Sequence, residues 1–370
     1  MHAASPGTSA GDLPTTTVVL STYGRRDNLE WVLPPLLAQA ADEYVLIVNG
    51  SRDGSMELLE RLTRDDPRVQ LVFLENLGLT RAQWFGAQRA SSDVVLFVDD
   101  DVLVRPGLVE GHARAHAAGP HRVVAGHMPT APPARPGPRT FTTHLYAEEY
   151  AGVVERWRRD RRSVLKDLWM GNVSFRREDY LALAAHESAP ALRYHQDKHL
   201  GISALAAGLD GVFVPELHAD HIHERSLAAF LDQSRRQGAD RVLMHALHPE
   251  VLGPWSEASL LAGLPGPARG LVRLSGRGAV RGPLVRLLSV LVTALGGAHL
   301  YGIQLRTAKL LRRMALLEGA RSVMPDAASV EGPALVRDAE LVHEAARAQK
   351  AATATEPSSA PEAQSSQPLG

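Results

Sequence analysis

The sequence contains no cysteine. Structural disulfides and thiolate metal sites are therefore excluded, and nothing points to an oxidising compartment. Excess charge of one sign is also missing, because 40 Lys and Arg residues face 41 Asp and Glu residues. A basic protein that binds nucleic acid is thus not indicated. Glycine-rich phosphate loops of the dinucleotide-binding or P-loop kind are absent as well.

The N-terminal segment lacks the features of a targeting signal. Met1 to Pro14 has no Lys or Arg and no apolar run, so we expect no signal peptide and a cytoplasmic location. Its Ala, Gly, Ser and Pro content predicts a disordered N-terminus over residues 1–14. The Ala-, Ser-, Pro- and Glu-rich segment from Ala351 to Gly370 predicts a disordered tail.

Short apolar runs alternate with helical patterns through the first hundred residues. The predicted strands are Thr16 to Ser21, Tyr44 to Val48, Val69 to Leu74 and Val94 to Val98, and the predicted helices between them are Asn28 to Gln39, Ser55 to Arg64 and Thr80 to Ala90. This order predicts a Rossmann-like, three-layer α/β/α fold with a mostly parallel sheet. In such sheets, ligands bind beyond the carboxyl ends of the strands.

Three consecutive carboxylates follow one of these strands. Asp99, Asp100 and Asp101 come directly after five apolar residues, from Val94 to Val98. Carboxylates so close together repel one another and favour a divalent cation, for which Mg²⁺ or Mn²⁺ with oxygen ligands is suited. A solvated acidic turn or a helix N-cap remains the alternative.

The acidic cluster and several collinear motifs resemble the GT-A glycosyltransferases, in particular the inverting family 2. The acidic strand is similar to the DxD motif of that family. The similarity spans about Thr16 to Gly238, and the other matching segments are Val18 to Arg25, Asn49 to Ser55, Glu75 to Gly78, Trp169 to Arg177 and His195 to Gly201. Each of these motifs alone is weak evidence for the family, but their occurrence in the same order along the chain is specific to it.

The resemblance implies a nucleoside diphosphate sugar as donor and Mn²⁺ or Mg²⁺ as cofactor. The metal would be held by Asp99, Asp101 and His221, with His223 as a second choice for the histidine; a loop whose histidines only cap a helix is the alternative. The implied donor-binding residues are Ser21, Tyr23, Arg25, Asn49, Asp53, Asn76, Arg81, Asp99 and Asp100. Val48 replaces the acidic residue that usually contacts the base, which leaves uridine, thymidine and guanosine donors open.

The resemblance also implies a catalytic base. Asp197 stands where the family has the carboxylate that takes the proton of the acceptor hydroxyl. From position alone, Asp197 is better explained as an acidic residue that stabilises a helix N-terminus. Gln196 and His199 replace residues that are usually acidic. The implied acceptor and sugar contacts are Trp169, Gly171 and Asn172.

The character of the chain changes after about Pro249. Between Ala258 and Leu317 there is no Asp or Glu, whereas Arg and Lys recur. Leu287 to Leu305 is uncharged but is interrupted by glycine and polar residues. A membrane-spanning helix, an interfacial attachment to anionic lipid and a helical hairpin packed on the preceding domain all fit this segment.

These features together predict a GT-A domain over residues 15–249, a helical basic region over residues 250–350 and a disordered tail. The predicted reaction transfers a sugar to an acceptor hydroxyl with inversion. The acceptor would be a saccharide, a lipid-linked intermediate or a small molecule, and the basic region suits peripheral contact with the inner face of an anionic membrane. A sugar nucleotidyltransferase and an inactive module that binds nucleotide sugars are the rival predictions.

Overall fold

The computed structural model describes residues 13–130, 140–185 and 192–329. The predictions of disorder for residues 1–12 and for the tail, and the part of the helical region from residue 330 onward, lie outside the described residues.

Eight strands and fourteen helices make up the described part of the chain. The strands are β1 (Thr16–Thr22), β2 (Glu43–Asn49), β3 (Val69–Leu74), β4 (Val94–Asp99), β5 (Val102–Val104), β6 (Arg122–His127), β7 (Asn172–Arg176) and β8 (Asp210–His221). The helices of the first part are α1 (Arg26–Leu37), α2 (Ser55–Thr63), α3 (Leu79–Arg89), α4 (Leu108–Ala117), α5 (Phe141–Arg159), α6 (Arg162–Lys166), α7 (Arg177–Ala185) and α8 (Gln196–Ala206). The later helices are α9 (Leu227–Leu247), α10 (Pro249–Leu252), α11 (Glu257–Leu261), α12 (Gly266–Ser275), α13 (Gly278–Gly297) and α14 (Tyr301–Ser329).

The strands form one mixed sheet in the order β3-β2-β1-β4-β7-β6-β8-β5. Strands β3, β2, β1 and β4 are mutually parallel, β7 runs antiparallel to β4 and β6, and β6 is parallel to β8. Every residue of β2 is buried, as expected for a strand covered by helices on both faces. The predicted α/β class with a mostly parallel sheet is confirmed.

The helices after residue 249 pack closely on the α/β part. Helix α14 runs along α9, and a Cβ added at Gly238 would lie 2.0 Å from the backbone oxygen of Leu316. Only a residue without a side chain fits there, so the two helix backbones meet directly. A second apolar cluster joins α5 and α9 to the helices from α11 to α14.

The uncharged segment from Leu287 to Leu305 is a helical hairpin. Helix α13 ends at Gly297, His299 has a positive φ of 61°, and α14 begins at Tyr301. Among the described residues, α13 alone is long and apolar enough to cross a membrane, judged by length and composition. Only 11% of its apolar stretch is buried within the protein, so it is not a core helix.

Candidate active site

A cleft of about 1260 Å³ opens beyond the carboxyl ends of β1, β2 and β4. The parallel strands deliver their loops to the same edge of the sheet, so residues distant in sequence meet there. The predicted site residues that line the cleft are Ser21, Tyr23, Arg25, Asn49, Asn76, Asp99, Asp100, Asp101, Trp169, Asp197 and His221. Four predicted residues are not among those that line it, namely Asp53, Arg81, Gly171 and Asn172.

Asp100 is held by the loop after β1. Its Oδ2 accepts a hydrogen bond of 2.7 Å from Thr22 Oγ1, and its Oδ1 accepts one of 2.7 Å from Arg25 Nη1. The parallel register that pairs Ser21 with Asp99 brings these groups together. Asp100 therefore fastens β4 to the loop after β1, and it is buried.

Asp101 lies between a cation and an imidazole. Arg25 Nη1 is 2.5 Å from its Oδ2, and His221 Nε2 is 3.3 Å from its Oδ1. Burial alone would raise the pKa of Asp101, but the hydrogen bond and charge of His221 and the charge of Arg25 lower it to about 2. Asp101 is thus an ionised carboxylate at neutral pH.

His221 reaches Asp101 because the end of β8 lies along the acidic loop. The backbone nitrogen of Ile222 donates to the backbone oxygen of Asp101 at 2.8 Å, and His221 Nδ1 lies 3.1 Å from Thr130 Oγ1. His223 is different. Its ring stacks on Tyr146 with centroids 4.1 Å apart, and its buried ring nitrogens have no hydrogen-bond partner among the described residues. Of the two histidines, His221 is the one beside the acidic cluster.

Asp99 faces three other carboxylates. Burial, followed by the negative charges of Asp101, Asp100 and Asp197, raises its pKa well above the usual value, although Arg25 partly offsets this. Gly171 gives this side chain room, because a Cβ there would lie 2.7 Å from Asp99 Oδ2. The φ of Gly171 is +106°, which also favours glycine. A glycine at position 171 is therefore needed to leave room for the carboxylate of Asp99.

Asp197 lies in the first turn of α8 and faces the same cleft. Its Oδ1 accepts a hydrogen bond of 2.8 Å from the backbone nitrogen of Lys198. Burial raises its pKa to about 6, against the backbone hydrogen bonds and the charge of Lys198, which lower it. Lys198 itself is 3.2 Å from Asp167. A carboxyl group with a pKa near neutrality is suited to accepting a proton in a reaction.

Asn172 does not contact the cleft. It is buried at 2% exposure; its Oδ1 lies 2.9 Å from His112 Nε2, and its Nδ2 donates to the backbone oxygen of Leu217 at 2.9 Å. Nδ1 of His112 continues this buried network to Ser174 at 2.7 Å. The structure therefore places Asn172 in the packing of α4 against the sheet, and it is not among the residues that line the cleft.

Asp53 and Arg81 also lie apart from the cleft. Asp53 accepts hydrogen bonds from the backbone of Arg26 at 3.0 Å and from Ser55 Oγ at 2.6 Å. It thereby joins the start of α1 to the start of α2. Arg81 is exposed on α3. Asn49 has a structural contact as well, since its Oδ1 accepts a hydrogen bond from Leu77 N at 2.9 Å.

Sequence reasoning missed an aromatic wall contributed by α5. Tyr146 lies with its ring centroid 5.2 Å from that of Trp169 and 4.9 Å from that of His221, and it lines the cleft. The helical pattern around residue 146 gives no sign of this role. A polar aromatic residue on a helix is normally a packing residue, so only the tertiary arrangement identifies it.

Comparisons with known proteins agree with this geometry. The family described as Glycosyl transferase family 2 matches residues 17–182, the segment that contains β1 to β4 and the acidic loop. This segment of the chain is therefore similar to glycosyltransferase family 2. The predicted resemblance to this family is confirmed over residues 17–182.

Two relatives and one solved structure extend the comparison. A validoxylamine A glucosyltransferase of Streptomyces hygroscopicus is 33% identical over 153 residues, covering 39% of this chain and 35% of the relative. A glucosyl-dolichyl phosphate glucuronosyltransferase of Haloferax volcanii is 25% identical over 192 residues, covering 50% and 59%. The chain thus spans less than two thirds of either relative.

The solved structure is a mannosyltransferase from Pyrobaculum calidifontis in complex with GDP-Man and Mn²⁺. It superposes with a TM-score of 0.52 at 18% identity, covering 83% of this chain and 87% of that one. The fold is therefore that of the GT-A glycosyltransferases, as predicted.

Proposed function

We propose that this protein transfers a glycosyl group from a nucleoside diphosphate sugar to an acceptor hydroxyl, with inversion and with a divalent cation. One observation carries the proposal: a single cleft brings the acidic loop, with Asp99 and Asp101, to face Asp197. Asp99 and Asp101 suit the binding of a cation and a diphosphate, and Asp197 suits the role of proton acceptor. Named glycosyltransferases among the relatives support the same activity.

The acidic loop fits Mn²⁺ or Mg²⁺ by the chemistry of its donors. Asp99 and Asp101 offer carboxylate oxygens, and His221 adds an imidazole nitrogen beside Asp101. Within the described residues, no three acidic or histidine side chains already converge as a complete metal site. Such ions commonly use one or two carboxylates and complete their coordination with water and substrate phosphates. A bound cation would neutralise the diphosphate as it leaves.

Side chains of the cleft carry out the proton transfer and hold the substrates. Asp197 accepts the proton of the acceptor hydroxyl as its oxygen attacks C1 of the sugar. The bond between C1 and the acceptor oxygen forms while the bond from C1 to the diphosphate oxygen breaks, and the electron pair leaves with the diphosphate. A single displacement of this kind inverts the configuration at C1. Arg25, Asn49 and Asn76 lie at the end of the cleft where the donor would bind.

The experiment that tests this function is a screen of nucleotide sugars. The full chain is mixed with Mn²⁺ and with uridine, thymidine or guanosine diphosphate sugars, and selective binding is detected as a higher unfolding temperature. Val48 is fully buried in β2, so no base is favoured in advance. Release of a nucleoside diphosphate in the presence of acceptors supports the proposal. Release of pyrophosphate would indicate a nucleotidyltransferase, and binding without release an inactive module.

The hairpin of α13 and α14 supports a location at the membrane surface. Leu287 and Val290 are 65% and 68% exposed, and Arg286 and Arg306 are exposed near them. Apolar side chains beside arginines, without an acidic residue, suit the surface of an anionic bilayer. The catalytic domain would then work on the cytoplasmic side, at the inner face of the membrane.

A further inference from the structure

The cleft also contains an arginine that has no partner among the described residues. Arg241, on α9, lines the cleft and is partly buried. In the part of the chain that the structure describes, no hydrogen bond or ion pair involves its guanidinium. Arg235 on the same helix is different, since its Nε lies 3.1 Å from Oε2 of Glu318.

The charges around Arg241 do not neutralise it. Glu149 is the acidic side chain that acts on the pKa of Arg241, but Arg312 already forms an ion pair with that carboxylate. Burial, followed by the positive charges of Arg312 and Arg313 against that of Glu149, lowers the pKa of Arg241. A buried cation among other cations is unfavourable unless an anion joins it.

Two other acids that line the cleft are paired in the same way. Glu148 lies 2.6 Å from Lys309, and Asp167 lies 2.7 Å from Arg156. Neither carboxylate is therefore free to neutralise Arg241. Arg193 and Arg225 also line the cleft, as does Arg236, which lies 2.6 Å from Asp232.

Arg241 shares this cleft with the candidate base Asp197 and with Tyr194. The charge of Asp197 influences the pKa of Tyr194, and Tyr194 influences that of Arg241, so both charged residues lie near Tyr194. Tyr194 accepts a hydrogen bond of 2.6 Å from Gln233 on α9. A molecule that occupies this cleft can therefore meet both Asp197 and Arg241.

We infer that the acceptor carries an anionic group, a phosphate or a carboxylate, which Arg241 binds while the acceptor hydroxyl faces Asp197. This inference rests on the proposed function. The planar guanidinium can bind either anion through two parallel hydrogen bonds. Arg241 would thus select acceptors and fix their orientation, and the anionic group would take no part in the bonds that form and break.

Calorimetry on the full chain tests this inference. The protein is first saturated with Mn²⁺ and the nucleoside diphosphate that stabilises it, so that the donor end is filled, and is then titrated with inorganic phosphate, acetate or octyl phosphate. Arg241→Gln should weaken binding of phosphate about ten- to hundredfold. Arg235→Gln, the same change on the same helix outside the cleft, should leave that affinity unchanged.

The unfolding temperature separates this role from a structural one. Without ligand, Arg241→Gln removes an unpaired charge and should unfold at the same or a higher temperature than the wild type, whereas Arg235→Gln loses an ion pair. Arg241→Lys keeps the charge without the planar fork and should recover part of the affinity. Tighter binding of octyl phosphate than of inorganic phosphate would identify a lipid as the source of the anion.

Equal phosphate affinity in Arg241→Gln and Arg235→Gln would overturn the inference, as would a wild type that binds none of the three anions. Failure of the proposed function looks different, because the wild type would then release no nucleoside diphosphate from any nucleotide sugar in the presence of acceptors. The anion titration is also run without nucleotide, so that the role of Arg241 is measured in that case too.

Discussion

The guanidinium of Arg25 lies on the carboxylate of Asp101, with Nη1 2.5 Å from Oδ2. The arginine thus takes an oxygen that a divalent cation would use. Its side chain is 40% exposed, so it can move toward a diphosphate when the donor arrives. Arg25 would then exchange a carboxylate partner for a phosphate partner.

Replacing Arg25 should separate metal binding from donor binding. In Arg25→Gln, Mn²⁺ should bind the nucleotide-free protein several-fold more tightly, because a competing positive charge is removed from the site. The nucleoside diphosphate should bind more weakly, because it loses a charge-assisted hydrogen bond. Calorimetry with each ligand measures both. Arg26→Gln is the matched control, since Arg26 pairs with Asp27 and Glu30; equal Mn²⁺ affinity in both variants would refute the exchange.

The raised pKa of Asp197 makes the reaction dependent on pH. With a pKa of about 6, the carboxylate is protonated in more acidic solution and can no longer accept the acceptor proton. The transfer rate at saturating donor should therefore fall as the pH drops below about 6. A rate profile from pH 4.5 to 8.5 checks this. A flat profile down to pH 4.5 would remove Asp197 as the base.

The same shift predicts that Asp197 costs stability. Its folded-state pKa of about 6 lies above the ordinary 3.8, so the folded protein binds this proton more tightly than the unfolded chain. The stability contributed by the proton is therefore complete at acid pH and is lost as the pH rises through 6. Asp197→Asn should raise the free energy of unfolding at pH 7.5 by about 1–3 kcal/mol and give no gain near pH 4.

Denaturant unfolding at the two pH values measures this gain. Asp53→Asn provides a control of opposite sign. Hydrogen bonds from Ser55 and from the backbone of Arg26 outweigh burial and lower the pKa of Asp53 to about 2. Its replacement should therefore lower stability at pH 7.5. A loss of stability in Asp197→Asn would contradict the assignment of a carboxylate whose pKa is raised by burial.

The hairpin residues should control attachment to membranes. Leu287→Ser with Val290→Ser should reduce sedimentation with vesicles that contain anionic lipid, because both side chains are exposed and would enter the interface. High salt should weaken binding of the wild type. Leu62→Ser on α2, at 39% exposure, is the control. A wild type that ignores anionic vesicles at low salt would show that the hairpin is not a membrane contact.

The position of the acidic loop could be predicted from the sequence because the loops that follow parallel strands all lie at the same edge of the sheet. A buried apolar strand followed by Asp99, Asp100 and Asp101 must place these residues at the carboxyl edge of the sheet. Their separate roles could not be predicted. Asp100 accepts a hydrogen bond from Thr22 only because β1 and β4 are neighbours in a particular register. The sequence of neither strand specifies which strand it pairs with.

Asn172 and Arg241 show two further limits. Asn172 follows Gly171 in a motif-like segment, yet successive side chains of a strand point to opposite faces, and β7 turns Asn172 toward His112. Arg241 has the pattern of an ordinary helical arginine. It has no partner among the described residues, and the packing of α14 brings the charges of Arg312 and Arg313 near it. No local sequence pattern encodes that contact.

The measurement that tests the central assignment most directly is calorimetry with the donor and Mn²⁺, run beside a transfer assay, on Asp101→Ala and Asp197→Asn. Asp101→Ala should bind metal and donor poorly, because it loses a cation ligand. Asp197→Asn should bind the donor nearly normally but transfer about 10² to 10⁴-fold more slowly, since the amide cannot accept a proton. Full transfer by Asp197→Asn, or unchanged Mn²⁺ and donor affinity in Asp101→Ala, would contradict the account.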